Sequence, residues 1–579
     1  MKIKKCFLLL SLLILAGSSF AQLITEYWDA PQTKKKSEQQ MKDGMQHGKF
    51  TAWYENGNIV KEGNFIEGKE TGKFVSYYND KKIKAEENYT KGKKNGAWKY
   101  WYSNGNKAQE TFFKNDKPDS AWTGWYENGK VKSLENYLSG NKEGTWVYYY
   151  SNGQKESEGN FKNNLAEGNY TGWYDNGTKQ KEGTYKNGKE IGLWKEWFSS
   201  GNRNQELMYE KDEVLLINLW SVKNEQIITN GSGNLTVVYD NGKVKGQGTY
   251  KEGRMDGDWS FFTTTGEKDY TVVYRLGKKN GNCTNWYKSG KIKSQGPFVN
   301  DKKTGYWKWF SEDGKIEMEG FLIDNLREKK WMNWFATGIK ESEGYYKNDL
   351  QDSLWTYWYR DGSKWKEGNF KLNKKEGLWT VWFENGQKLQ EGKYSSGKEE
   401  GTWNSWYEEG MSKDEGNFRS GKMDGSWKGW FPNKNPNYEG FYKDDLKNAG
   451  WKYYYDSGKI KEEGSYKEGK KNGHWVFWTP QGMKDSEGSY KNERPDGSWT
   501  NYYPTGVKSM EQTFRDGKLS GDCSSWYENA KLKSSTSYKL VRDKKGNRVE
   551  SKPHGKWIYY DTNGKTVMET TYKYGVKIN

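Results

Sequence analysis

A bulky aromatic residue returns every 24 residues in the same local context along almost the whole 579-residue chain. A period of this size is typical of a repeat array, in which each repeat contacts mainly its neighbours. The spacing divides the sequence into about 21 repeats, which begin at Phe50, Phe74, Trp98, Trp122, Trp146, Tyr170, Trp194, Leu235, Trp259, Cys283, Trp307, Trp331, Trp355, Trp379, Trp403, Trp427, Trp451, Trp475, Trp499, Cys523 and Trp557.

The repeat that begins at Trp379 shows how each copy is expected to fold. With Trp379 counted as position 0, Asn385 and Gly386 at +6 and +7 separate two aromatic-rich runs. Asn-Gly in such a place is a strong hairpin signal, because a two-residue primed turn requires positive φ at both residues. We therefore predict a tight hairpin with +4 opposite +9, +3 opposite +10 and 0 opposite +13. Three repeats lack the glycine at +7 and are expected to have wider turns there: Lys81, Lys434 and Ala530.

The predicted pairing arranges the aromatic residues in two stripes. It places the ring at 0 across from the glycine at +13, where a ring compensates for the missing side chain. Two-residue alternation puts 0 and +4 on one face and +3 on the other, with a basic residue at +9 or +10 laid along the +3 rings. This second stripe is the candidate contact stripe, although it can equally serve to cover the other face of a thin sheet. It includes Trp53, Trp101, Trp125, Trp197, Trp334, Trp358, Trp382, Trp406 and Trp430.

No apolar pattern of helical period follows the first 21 residues. The predicted fold class is therefore all-β, an elongated single-layer array of about 21 antiparallel β-hairpin repeats.

The first 21 residues have the form of a secretory signal peptide. A basic start precedes a short apolar core at residues 7–16, and Ser19-Phe20-Ala21 has the small-x-small form of a cleavage site. The sequence therefore predicts an exported protein that is periplasmic, associated with the cell envelope, or extracellular.

Composition shifts and breaks in the 24-residue register divide the rest of the chain. The predicted segments are a degenerate N-terminal cap at 22–45, seven repeats at 46–209, an insertion at 210–232, and fourteen repeats at 233–579 with a hairpin insertion near 540–552.

Charge and reactive side chains argue against catalysis and nucleic-acid binding. The net charge of +17 is less than one excess charge per repeat, which is not a concentrated nucleic-acid patch. His47, His474 and His554 fall in distant repeats, so no histidine triad or metal cluster is expected. Cys283 and Cys523 stand where other repeats have Trp and are read as small buried substitutes. We predict no enzyme activity and no catalytic, cofactor-binding or metal-binding residues.

The repeat also resembles a known family. The pattern Glu-Gly-x-Tyr-x-x-Gly-Lys-x-x-Gly-x-Trp-x-x-Trp-Tyr-x-Asn-Gly, seen for instance across residues 391–394, 401–403 and 406–407, resembles the MORN repeat variant of bacterial YwqK-type antitoxin-like proteins. The resemblance covers nearly all of the chain after the predicted signal peptide. It implies a β-hairpin array that mediates association with proteins or membranes.

Three partners are consistent with these features. The leading interpretation is an exported, non-catalytic scaffold that binds a protein partner at the cell envelope, with weak contacts multiplied by avidity. The alternatives are carbohydrate or cell-wall binding through the periodic Trp stripe, and association with anionic lipid.

Overall fold

The computed structural model describes residues 21–542, 546 and 549–578, so that residues 1–20 of the predicted signal peptide lie outside it. In the described residues the chain forms strands and no helix, organised in two antiparallel sheets of 22 and 32 strands. The predicted all-β array of hairpin repeats is thus confirmed.

The strands are numbered β1 to β54 in chain order. Strands β1 to β22 of the first sheet are Ala21–Tyr27, Lys35–Lys42, Met45–Trp53, Ile59–Ile66, Lys69–Tyr77, Ile83–Thr90, Lys93–Lys94, Gly96–Trp101, Lys107–Lys114, Lys117–Pro118, Ser120–Trp125, Val131–Leu138, Asn141–Lys142, Gly144–Tyr149, Lys155–Lys162, Leu165–Ala166, Gly168–Trp173, Lys179–Lys186, Lys189–Trp197, Arg203–Glu210, Glu213–Trp220 and Gln226–Ile228.

Strands β23 to β54 of the second sheet are Gly233–Val238, Val244–Lys251, Arg254–Phe262, Lys268–Arg275, Lys278–Trp286, Ile292–Val299, Lys302–Lys303, Gly305–Phe310, Ile316–Ile323, Leu326–Trp334, Lys340–Lys347, Leu350–Trp358, Lys364–Lys371, Lys374–Trp382, Lys388–Ser395, Lys398–Trp406, Ser412–Arg419, Lys422–Trp430, Pro436–Lys443, Leu446–Tyr454, Ile460–Lys467, Lys470–Lys471, Gly473–Trp478, Lys484–Lys491, Arg494–Tyr502, Lys508–Arg515, Lys518–Trp526, Leu532–Arg542, Val549–Pro553, Gly555–Tyr560, Thr566–Lys573 and Val576–Lys577.

Contacts between Cα atoms divide the chain into two compact units. One comprises Met1–Thr264 and Tyr274–Gly277, and the other Thr265–Val273 and Lys278–Asn579. In the described part of each unit, successive strands pair with their neighbours in the chain, which gives a single antiparallel layer of hairpins.

The hairpin turn of each repeat differs from the predicted one. Trp379 pairs with Gly392 as expected, but a β-bulge then shifts the register, so that Trp382 at +3 lies opposite Lys388 at +9 rather than opposite +10. Gly386 donates its N–H to the carbonyl of Phe383 (3.0 Å) and is the one residue of this turn with positive φ, 83°. The predicted pairing of +4 with +9 is also wrong, since the +4 N–H bonds the carbonyl at +8. The Asn-Gly turn is thus a three-residue loop closed by a left-handed glycine, not a two-residue primed turn.

Primed turns with two residues join consecutive repeats instead. Ser396 and Gly397 connect paired residues Ser395 and Lys398, and both have positive φ, 51° and 87°. This is the backbone that fits the right-handed twist of a two-residue hairpin.

The three turns without glycine at +7 are not wider. Lys81, Lys434 and Ala530 adopt φ of 71°, 71° and 62°, and their N–H groups bond the carbonyl at +4 over 3.0, 2.9 and 3.0 Å. The prediction of looser turns was therefore wrong. These side chains occupy a left-handed conformation that costs them roughly 1 kcal/mol.

The core is built where the leading ring of one repeat lies on the glycine of the repeat before it. Gly392 pairs with Trp379 on one side and with Trp403 on the other. A Cβ on Gly392 would lie 2.1 Å from the Trp403 ring, whose Nε1–H donates to the carbonyl of Lys393 (3.2 Å). The pairing alone predicts that the ring at position 0 of the same repeat covers this glycine. The structure shows instead that the ring of the next repeat covers it.

Each leading ring is enclosed by the side chains around it. Trp379, which is 3% exposed, meets Phe370 and Tyr394 edge to face at 5.0 and 6.2 Å, and the Lys375 ammonium lies 4.7 Å from its ring centre. Burying such a ring stabilises the array by about 2–3 kcal/mol, and each edge-to-face contact adds roughly 1 kcal/mol. We call the surface that carries positions 0, +2 and +15 the Trp face.

Both cysteines replace Trp where the preceding glycine is also replaced. Cys283, 4% exposed, follows a repeat with Val272 at +13, and Cys523 pairs with Gln512 at +13. In these two places a larger residue at +13 is accompanied by a smaller residue at the next position 0, although the array also accepts Trp after a non-glycine residue, as in Glu87 with Trp98 and Glu135 with Trp146. Burial raises the pKa of the Cys283 thiol, as expected for a packed structural cysteine.

The cap and the insertions continue the hairpin pattern. Strands β1 and β2 pair, β2 pairs with β3, and the indole N–H of Trp28 donates to the carbonyl of Trp53 (3.0 Å). In the first insertion, β21 and β22 pair and bury Ile228 completely. In the second, β50 and β51 form a longer hairpin whose tip at 543–545 and 547–548 lies outside the described residues.

The contact between Gly392 and Trp403 can be tested by exchanging both residues. Gly392→Val should lower the free energy of local opening by about 1–3 kcal/mol through overpacking, and Trp403→Cys by about 3 kcal/mol through the lost ring. The double variant imitates Val272 with Cys283, so it should lose less than the sum of the two, by about 1 kcal/mol or more. Hydrogen exchange of peptides from residues 379–426 measures these values, and strictly additive losses would contradict the proposed contact.

The left-handed turn at Ala530 makes a second prediction. Ala530→Gly should stabilise its hairpin by roughly 0.5–1 kcal/mol, because glycine adopts this φ without strain. The matched control is Ala121→Gly, at an exposed strand position without positive φ, which should destabilise by about the same amount. Local hydrogen exchange measures the change in stability of both variants. If both changes had the same sign, the left-handed φ at Ala530 would not be the cause of the effect.

Candidate interaction surfaces

The candidate contact stripe at +3 is half-buried and partly covered by lysines. The Lys364 ammonium lies 5.4 Å from the ring centre of Trp382 in the next repeat and 2.9 Å from Glu367 Oε2. Six of the nine candidate rings have such a lysine at 5.1–5.6 Å: Trp53, Trp125, Trp197, Trp358, Trp382 and Trp406. In the described residues the other three face Ile83, Ile316 or Ser412 at the lysine's position: Trp101, Trp334 and Trp430.

Side chains of the hairpin turn tie the stripe to neighbouring repeats. The Tyr359 hydroxyl donates to the carbonyl of Trp382 over 2.8 Å. Asn385 accepts the N–H of Gln387 (2.9 Å) and donates through Nδ2 to the carbonyl of Glu408 (3.0 Å). The Tyr-x-Asn-Gly motif therefore links successive turns, and the stripe belongs at least in part to the framework.

A more exposed apolar surface lies on the face opposite to the leading rings. Positions −1 and +14 are small or polar in most repeats, but in the repeats from Trp307 to Trp379 five of these seven positions are apolar, the exceptions being Lys330 and Asn369. Strand alternation turns them away from the Trp face. Exposure reaches 39% at Tyr306, 43% at Tyr345, 45% at Leu354 and 50% at Leu378. With Phe321, whose ring lies 6.4 Å from Tyr306, these five residues form what we call the apolar patch.

Paired charges border the apolar patch. Lys308 lies 3.2 Å from Glu319, and Lys330 and Lys340 lie 3.3 and 2.7 Å from Glu343. Burial acts to raise the pKa of Glu343, but hydrogen bonds from the two lysines outweigh it, and the pKa lies below its usual value. The border therefore carries charges of both signs, three lysines beside two glutamates, and both glutamates are held in ion pairs.

A groove continues the same face towards the C-terminal side. It encloses about 570 Å³ where small residues such as Ser426, Gly450 and Ser465 replace the bulkier residues of the apolar patch, and it also contacts the exposed ring of Phe441.

The histidines and acidic side chains of the described residues are spread over the array. Within residues 21–542, 546 and 549–578, no group of three or more His, Cys, Asp or Glu side chains is placed to hold a metal ion. His554 accepts the N–H of Tyr574 through Nδ1 (3.4 Å), a role that Glu376 plays for Ser396 in another repeat (2.8 Å).

Comparison with known families supports the repeat. Thirteen segments, together just under half of the chain, match the family described as MORN repeat variant: 46–67, 70–91, 94–115, 118–138, 142–163, 166–187, 232–252, 279–300, 303–324, 375–395, 423–444, 451–468 and 553–574. The chain thus carries MORN-variant repeats on both sides of the first insertion. Such repeats are expected of a scaffold for protein or membrane interaction.

Individual proteins of known sequence or structure resemble this chain only weakly. No curated protein matches the sequence significantly. A crystal structure of TcdB2-TccC3 aligns over 96% of this chain and 36% of its own at 9% identity, with a TM-score of 0.12. A Photorhabdus luminescens Tc holotoxin pore aligns over 96% and 35% at 10% identity, also with a TM-score of 0.12. This chain spans about a third of the length of those chains.

Over the described ranges, no helix has the length and apolar character needed to cross a bilayer.

Truncation of a stripe residue should destabilise the array, whereas truncation of an apolar-patch residue should leave its stability almost unchanged. Trp382→Ala removes a half-buried ring and should lower the free energy of local opening by about 2 kcal/mol. Leu378→Ala, at an exposed position in the same strand, should change it by less than about 0.5 kcal/mol. Hydrogen exchange of the peptides from 374–406 gives both values. Unchanged exchange in Trp382→Ala would show that the stripe is free for binding rather than part of the framework.

Proposed function

We propose that the protein is an exported, non-catalytic repeat scaffold that binds a protein partner at the cell envelope through the apolar patch. The observation that carries this proposal is the exposure of Tyr306, Tyr345, Leu354 and Leu378 on one face of a regular sheet. Grouped exposed apolar side chains mark interaction sites on soluble proteins.

The chemistry of the patch favours a protein over a lipid or a glycan. Aromatic and aliphatic side chains with a charged border are typical of protein interfaces. Attraction to anionic lipid requires an excess of cations, whereas Lys308 and Lys330 are paired with Glu319 and Glu343. The stripe at +3 is a poorer platform for sugars, because lysines cover six of its nine candidate rings.

Export and the bacterial subfamily are parts of the same proposal. Export is supported by the basic start, apolar core and cleavage pattern of residues 1–21. Membership of the bacterial YwqK-type variants is supported by the Glu-Gly-x-Tyr and Tyr-x-Asn-Gly elements of the repeat. A lack of enzymatic activity is supported by the repetition of the same carboxylates in identical surroundings, which does not separate an acid from a base.

Retention on envelope fractions tests the proposed partner. The tagged chain is incubated with fractions that were pretreated with protease or with polysaccharide-degrading enzymes, and the bound fraction is measured. We expect protease alone to abolish retention. The variant Tyr345→Asp/Leu354→Asp/Leu378→Asp should bind at least about tenfold more weakly, since buried apolar anchors dominate such interfaces.

The matched control carries the same change outside the apolar patch. Leu372 is 56% exposed at a primed turn, and Leu372→Asp should leave retention unchanged. Retention that survives protease but not glycan digestion would replace the protein partner by a cell-wall glycan. Retention that is lost steeply with added salt and restored by anionic vesicles would indicate lipid.

A further inference from the structure

A second surface in the same repeats contains a cavity of about 680 Å³ around Trp365. Its walls come from three consecutive repeats, which begin at Trp331, Trp355 and Trp379. Tyr357, one of its wall residues, stacks on the leading ring of Trp355 at 5.8 Å, so this part of the cavity lies on the Trp face. The cavity is therefore separate from the apolar patch.

Trp365 departs from the repeat at its position. No other repeat has Trp at +10, where seven repeats instead have a lysine whose ammonium lies over the +4 tyrosine, as Lys413 does over Tyr407 at 5.8 Å. Trp365 takes that place beside Tyr359, with ring centres 6.0 Å apart. It is 39% exposed, and only Trp28 among the described tryptophans is also exposed. Covering Tyr359 does not require so large an exposed ring, because a lysine does it elsewhere.

Aromatic rings form one side of the cavity. Trp365 lies 6.3 Å from Tyr357 in an edge-to-face contact, and Phe335 of the preceding repeat completes this side. The Lys366 ammonium lies 3.9 Å from the Trp365 ring centre and 4.5 Å from that of Tyr357. The rings thus already hold an internal cation.

Polar groups that lack ion-pair partners line the rest of the cavity. Arg360 is the single arginine at +5 in the array and lies over the ring of Phe335, 5.8 Å from its centre. Among the described residues, Arg360, Glu341 and Glu384 form no ion pair, and the Trp365 indole N–H has no acceptor. The ion pairs of the neighbouring repeats join lysines at +9 to glutamates at +12 instead, as in Lys340 with Glu343 and Lys388 with Glu391. The cavity therefore presents donors and acceptors that are free for a ligand.

We infer that this cavity binds a neutral saccharide ring, stacked on Trp365 and hydrogen-bonded by Arg360, Glu341 and Glu384. A pyranose has an apolar C–H face for an indole and hydroxyls at its edge that both donate and accept. A cationic ligand would compete with Lys366 for the rings, and an anionic one would meet Glu341 and Glu384. The inference is independent of the proposed protein partner, because it concerns other residues on another surface.

Oxidation of exposed tryptophans tests the site with an internal control. The full chain is treated with N-bromosuccinimide alone or with laminarin, dextran, mannan or hydroxyethyl cellulose, and oxidation is read peptide by peptide by mass spectrometry. At least one of these neutral polysaccharides should slow oxidation of Trp365 and leave Trp28 unaffected. Equal protection of both tryptophans, or none by any of the four, would overturn the inference.

Affinity electrophoresis in gels that contain the protecting polysaccharide tests whether the Trp365 ring contributes to binding. Trp365→Ala should weaken binding by about tenfold or more, whereas Trp365→Tyr, which keeps a stacking ring, should retain most of it. Near-ultraviolet circular dichroism checks that both variants are folded. The triple Asp variant of the apolar patch should bind the polysaccharide normally, so failure of the protein proposal leaves this test intact. Wild-type affinity in Trp365→Ala, or protection of Trp365 by an envelope protein and by none of the glycans, would refute a saccharide site.

Discussion

The ring of one repeat lying on the glycine of the repeat before it is the contact on which the array depends. The Trp403 ring covers Gly392, and its indole N–H bonds the carbonyl of Lys393, so a single side chain supplies both packing and a polar anchor. Because the leading ring of each repeat packs on the repeat before it, no repeat has a complete core alone. Glycine is needed at position 392 because a side chain there would collide with the Trp403 ring. Its backbone conformation does not require glycine, since its φ is not positive.

The period and the composition of the repeat were enough to predict the fold. The pairing of Trp379 with Gly392 follows from the distance of both residues to the turn, and it is observed. The predictions that failed are those that depend on contacts with the neighbouring repeat. Asn385 was read as a residue that tolerates positive φ, whereas it caps its own turn and reaches the carbonyl of Glu408, 23 residues away. Spacing within one repeat does not show which repeat a side chain will contact.

The same limit applies to the candidate site. The +3 stripe stands out because it is periodic, but periodic residues are the ones that every repeat needs for its own structure. Lys364 and Lys388 lie over Trp382 and Trp406, respectively, and this contact between repeats is not visible in the pattern of one copy. The apolar patch was missed for the opposite reason, because Tyr345 and Leu354 occupy positions that are polar in most repeats. The signal that could have found them is departure from the consensus at −1 and +14.

Departures from the repeat are concentrated in a few copies and affect both faces of the sheet. Tyr306 to Leu378 place exposed apolar side chains on one face, and Trp365 with Arg360 opens a polar and aromatic cavity that reaches the other. Neither feature is needed for stability, because neighbouring repeats fold with lysine, serine or asparagine at the same positions. Sequences break local structural rules mainly where function requires it. In an array whose framework is set by Trp, Gly and the turn residues, the repeats between Trp307 and Trp379 are therefore the ones in which we propose that binding specificity resides.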